Sequence, residues 1–116
     1  MKIKGFGGVF MRTSNLEEIK KWYGDVLKID FEEWNGSIIT PQPGNQTIFS
    51  FFPDEDTYFP AEQQVMLNFQ VENMEESINH LEKLGVPYEM EKTVSEYGKF
   101  AWIEDPLGRR IELWEK

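Results

Sequence analysis

The chain has 116 residues, 40% hydrophobic and 15% aromatic, enough for one domain with a buried core and too aromatic for a disordered segment. Its 21 acidic against 12 basic residues give a formal net charge of -9, and the basic clusters are mere pairs such as Lys20-Lys21 and Arg109-Arg110. Phosphate backbones and anionic membranes repel such a surface, so neither nucleic acid nor membrane is an expected partner. The absence of cysteine removes disulfides, zinc–thiolate sites, iron–sulfur clusters and thiol nucleophiles.

His80 is the single histidine, so a two-histidine metal site within one chain is excluded, and a Ser-His-Asp mechanism would have to use it. It stands at the edge of a helical apolar stripe, where a solvent-facing surface residue is expected. No apolar run reaches the roughly 20 residues of a membrane helix. Residues 1–10 lack the apolar stretch of a secretory leader, and a cytoplasmic location is expected.

In chain order, residues 2–12 alternate as a strand, with Val9 and Met11 opposite Gly8, Phe10 and Arg12. Ser14-Asn15-Leu16-Glu17 has the form of a capping box, in which Ser14 caps a helix and Glu17 reaches back to it. Leu16, Ile19, Tyr23 and Val26 follow as its buried stripe. Residues 29–34 and 37–40 read as a hairpin about Asn35-Gly36, and residues 47–52 as a further strand. Residues 54–63 are polar, flanked or broken by Pro53 and Pro60, and read as a connector.

Residues 64–71 form the next expected strand. Asn73 caps a second helix with the stripe Met74, Ile78, Leu81 and Leu84, which Gly85 and Pro87 stop. Strands follow at 88–94, 99–104 and 110–114. The last two form a hairpin around Asp105-Pro106-Leu107-Gly108, with proline at the second turn position and glycine where a left-handed residue is needed.

The order is βαβββ, connector, βαβββ. Asn15-Leu16-Glu17-Glu18 recurs as Asn73-Met74-Glu75-Glu76 half a chain length further on, and Gly8 and Phe10 then align with Met66 and Asn68. This predicts an internal duplication, a single domain over 1–116 made of modules 1–53 and 64–116.

Trp22-Tyr23-Gly24-Asp25-Val26-Leu27 and, more specifically, Asp105-Pro106-Leu107-Gly108-Arg109-Arg110-Ile111-Glu112-Leu113 resemble two motifs of the vicinal-oxygen-chelate superfamily. That group includes glyoxalase I, extradiol dioxygenases, fosfomycin-resistance enzymes and bleomycin-binding resistance proteins. The resemblance spans nearly the whole chain. It implies an α+β fold in which two βαβββ modules curve mixed sheets into a cup, with helices on the outer face, and it implies a homodimer.

The resemblance also implies four metal-ligand positions, one in the first and one in the last strand of each module. Here they fall on Gly8, Met66, Glu112 and either Ser50 or Phe52. Only Glu112 is a strong ligand for a hard divalent ion, so no metal ligand set and no cofactor are expected.

Alternation sorts the strand residues onto two faces. Val9, Met11, Leu67, Phe69, Val71, Ile111 and Leu113 should pack against the helices. The opposite face carries the candidate ligand-binding residues Phe10, Arg12, Met66, Asn68, Gln70, Trp102, Arg110, Glu112 and Trp114, a mixture of aromatic, amide and charged groups suited to a concave surface. A structural Arg110–Glu112 ion pair is the competing reading of those two residues.

The expected function is small-molecule binding without a metal, the ligand being aromatic or cationic and held by stacking and cation–π contact. Three alternatives stand beside it. One is a metal-dependent lyase, transferase or dioxygenase with unusual ligands. The second is a metal-independent isomerase or epimerase with Glu112 as the catalytic base. The third is a partner-binding module whose cup is filled by its own side chains.

Overall fold

Asn15, rather than Ser14, caps the first helix. Its Oδ1 accepts the Glu18 N–H at 3.1 Å, as Asn73 Oδ1 accepts the Glu76 N–H at 3.0 Å in the second. The Asn side chain satisfies one of the orphan donors of a first turn as well as a serine hydroxyl does. The helices end alike too, on left-handed residues: Lys28 at φ 59° and Gly85 at φ 71°.

The computed structural model describes residues 1–116. Its elements are α1 (Leu16–Leu27), β1 (Leu67–Gln70), α2 (Met74–Leu84), β2 (Glu89–Met90), β3 (Lys99–Glu104) and β4 (Arg110–Glu115). The four strands form one mixed sheet in the order β1-β4-β3-β2, with β1 parallel to β4 and the other pairs antiparallel. No helix is long and apolar enough to cross a membrane.

The α+β class expected from the sequence is present, but as one open four-stranded sheet and not as a cup of two modules. The segments 2–12, 29–34, 37–40 and 47–52 carry the alternation of strands, yet none of them forms a ladder. Alternation specifies which side chains share a face, but a strand also needs an edge to pair with, and these segments pair neither with one another nor with the open edges of β1 and β2. Val9 and Met11, expected beneath the helices, are consequently exposed. The strand expected at 88–94 shortens to the two residues that pair with Ala101 and Trp102.

The core lies where α1 and α2 cover one face of this sheet. Tyr23 and Val26 of α1, Met74, Ile78 and Leu81 of α2, and Ala101, Ile103, Ile111 and Leu113 of the sheet are buried together. Phe69 and Val71 are partly buried against them, as alternation predicts. Leu16 and Leu84, the outer residues of the two predicted stripes, stay largely exposed.

The β3–β4 turn forms as its residues require. Gly108 takes φ 79° and donates to the Asp105 carbonyl at 2.9 Å. The Asp105 side chain is fully buried. Its Oδ1 accepts the Leu107 and Arg109 N–H groups, and its Oδ2 accepts the Arg109 Nε at 2.7 Å and the Tyr23 hydroxyl at 2.8 Å. Burial opposes ionisation of Asp105, but the Arg109 guanidinium, these N–H groups and the Tyr23 hydroxyl outweigh it and hold the carboxyl below its usual range. One carboxylate thus ties α1 to the turn.

Candidate functional site

On β4, Glu112 projects from the face opposite the core. The sheet register sets it between Asn68 of β1 and Trp102 of β3. Asn68 Nδ2 donates to Glu112 Oε1 at 2.6 Å, and Trp102 Nε1 donates to Oε2 at 2.9 Å. A third donor arrives from outside the sheet: the Tyr58 hydroxyl also donates to Oε2. Glu112 is only 6% exposed, so these charge-assisted bonds replace most of its water.

Tyr58 stands in the connector. Its N–H donates to Asp56 Oδ1 at 2.7 Å in a tight local turn. Its ring stacks on Phe52, with centroids 5.4 Å apart and planes at 20°, and meets Trp102 edge-on at 6.1 Å. Burial, the bond to Glu112 and the negative charge of Glu112 all push the phenol far above its usual range, so it remains a proton donor.

Arg110 lies over the Trp102 ring, its guanidinium carbon 5.0 Å from the centroid. The ion pair it makes is with Glu89 of β2, Nη1 to Oε2 at 2.7 Å, and not with Glu112. The competing structural pairing is thereby corrected: Arg110 and Glu112 share a face, but Glu89 reaches the guanidinium from β2, across the intervening strand β3.

The other candidates are less closely gathered. Trp114 is buried one residue pair further along, stacked on Phe100 at 5.8 Å and donating through Nε1 to the Tyr97 carbonyl at 2.7 Å. Gln70, opposite Trp114 in the ladder, donates to the Gln46 carbonyl at 3.2 Å. Met66 is half-buried just before β1. Phe10 is 93% exposed, and Arg12 is also exposed, its carbonyl accepting from Arg109 Nη1 at 3.0 Å.

Tyr58, Gln63 and Glu89 were not among the sequence candidates. The aromatic pair Tyr58-Phe59 in an otherwise acidic connector was the available signal. His80, expected at a solvent edge, is half-buried with Nε2 2.9 Å from the Val26 carbonyl at the end of α1, a link between the two helices.

The donor set does not fit a hard divalent ion. Nowhere do three or more His, Asp or Glu side chains converge, and Glu112 is the one carboxylate among the four positions. Gly8 offers no side-chain donor and Met66 only a thioether.

Clefts of about 270 and 550 Å³ lie instead on the helix side of the sheet. The smaller is lined by Val26, His80 and Leu81, the larger by Ile29, Ile38, Ile39 and Phe69. Neither reaches Glu112. The larger one opens where residues 29–39 lie against β1 and β4 without pairing to them.

Solved structures share this fold at low identity. A protein from the mobile metagenome of V. pseudocholerae superposes with a TM-score of 0.67 at 16% identity, over 99% of this chain and 96% of that one. TnmS3, an antibiotic-binding protein from Streptomyces sp. CB03234, gives 0.56 at 18% identity, over 88% and 87%. A glyoxalase/bleomycin resistance protein/dioxygenase superfamily member from Sphaerobacter thermophilus gives 0.54 at 19%, over 90% of each chain. Comparison with the curated proteins gives no significant match. The family model of the glyoxalase/bleomycin resistance protein/dioxygenase superfamily matches residues 5–113. With this match over nearly its full length, the chain belongs to that superfamily.

Proposed function

We propose that the chain is a metal-free small-molecule-binding protein whose ligand sits against the face of the sheet opposite the helices. The observation that carries this reading is the buried Glu112 carboxylate, held in a fixed orientation by Asn68, Trp102 and Tyr58 beside the indole of Trp102. A preorganised acceptor next to an aromatic wall suits a ligand that presents a donor or a positive charge on a flat ring system. The antibiotic-binding TnmS3, similar in fold, supports the same class of activity.

The protein acts as a cytoplasmic homodimer in this reading. Its strand-patterned first half exposes Phe6, Phe10, Phe49 and Phe51, and a second copy is the partner that gives those segments an edge to pair with.

A panel of cationic aromatic compounds, read by thermal shift and tryptophan quenching, tests the function. At least one member binds the wild type, and Glu112→Gln weakens it about tenfold or more by removing the charge the ligand meets. No binding by any member, or equal binding by Glu112→Gln, overturns the proposal.

A further inference from the structure

Gln63 pairs with β4 as a strand residue would. Its Oε1 accepts the Arg110 N–H at 2.8 Å, and its Nε2 donates to the Arg110 carbonyl at 2.8 Å and to the Val65 carbonyl at 3.0 Å. A carboxamide carries the same donor and acceptor as a peptide group, so the side chain continues the β1–β4 pairing one residue beyond the first ladder pair, Leu67↔Ile111. The connector is therefore stitched to the backbone of the residue two before Glu112.

Five residues earlier in the connector, Tyr58 sets its hydroxyl on Glu112. On the other side its ring stacks on Phe52, at the end of the segment that precedes the connector. The segment thus crosses Glu112 with one attachment at each end. Between them it buries only Phe59 and Pro60 in part, Phe59 edge-on to Phe52 at 5.5 Å, while residues 53–58 are exposed, Tyr58 at 37%. A segment with few buried contacts opens at low cost.

We propose that residues 54–63 are a cover over Glu112, that Gln63 is the positioning residue that sets Tyr58 on the carboxylate, and that a ligand reaches Glu112 by displacing the Tyr58 hydroxyl. The last clause rests on Glu112 being the ligand anchor; the cover and its tether do not. Because the ligand must replace a hydrogen bond to Oε2, the cover selects ligands that carry an N–H or O–H donor or a cationic group over apolar ones of the same shape.

The test measures access to Glu112 in the full-length, unliganded protein, by carbodiimide-activated amide coupling read by peptide mass spectrometry. Gln63→Met keeps the side-chain length and removes both polar groups, and Tyr58→Ala removes the cover's contact itself. Both variants raise coupling at Glu112 about fivefold or more, while Asp105, which the cover does not touch, stays uncoupled as in the wild type. Unchanged coupling at Glu112 in either variant overturns the proposal. A parallel rise at Asp105 overturns it as well, because Gln63 or Tyr58 then supports the whole fold rather than a local cover. Absence of any ligand in the compound panel sinks the binding function and leaves this measurement standing.

Discussion

Two buried carboxylates anchor this molecule, and both have their oxygens occupied by protein donors. Asp105 closes a turn and meets an arginine, a tyrosine and two backbone N–H groups. Glu112 meets a tyrosine, an indole and an amide, on the face away from the core.

Asp105 makes a prediction about pH. Its carboxyl is held below the ordinary value of 3.8, so its contribution is complete above about pH 4 and is lost as pH falls through the depressed value. Asp105→Asn should cost about 1–3 kcal/mol at neutral pH, since it leaves the half-buried Arg109 guanidinium against a neutral group and removes an acceptor for its Nε. Urea denaturation between pH 7 and pH 3 checks this: the wild-type stability falls at the acid end, and the variant starts lower with a flatter profile. An identical slope in both proteins contradicts the assignment.

Much of the Glu112 site was legible in the sequence. The turn motif set the register of β4, and alternation put Asn68 and Arg110 on the side of Glu112, while the pairing of β3 with β4 fixed Trp102 there. Tyr58 was not legible, because an irregular connector has no periodicity from which a side chain's direction follows.

At the scale of elements, the two helices follow one local plan. Each starts on an asparagine cap and ends on a left-handed residue, but the first ends on Lys28 where the second has Gly85. A side chain bearing Cβ is strained at φ 59°, whereas glycine is not. Lys28→Gly should therefore stabilise the protein by about 0.5–1 kcal/mol, read as a higher urea midpoint with an unchanged slope. A lower midpoint shows that the Lys28 side chain, on the rim of both helix-side clefts, contributes more than its backbone strain costs. The helices were readable because caps, stripes and stops lie within a few residues of one another. The strands of the first half were readable as patterns only, since pairing joins segments far apart in the chain.

At the scale of the whole molecule, the two halves differ in how they are finished. The second half buries its strands under α1 and α2, while the first half leaves apolar strand-patterned segments in solvent, Phe51 at 85% exposure among them. In the proposed homodimer a second copy covers this exposed apolar surface. Light scattering on the eluting protein should give twice the chain mass, and Phe10→Glu should shift the population toward monomer by placing a charge on that surface. A wild-type monomer at high micromolar concentration contradicts the homodimer.

The sequence alone determined both helices with the stripes that bury them, the Asp105–Gly108 turn and the face on which Glu112 lies, because each depends on spacing over a few residues. Tertiary structure alone decided that Glu89 takes Arg110, that Gln63 extends the β4 pairing and that Tyr58 covers Glu112. It also decided that the first-half segments form no ladder. These are meetings between residues distant in the chain, which spacing over a few residues does not specify.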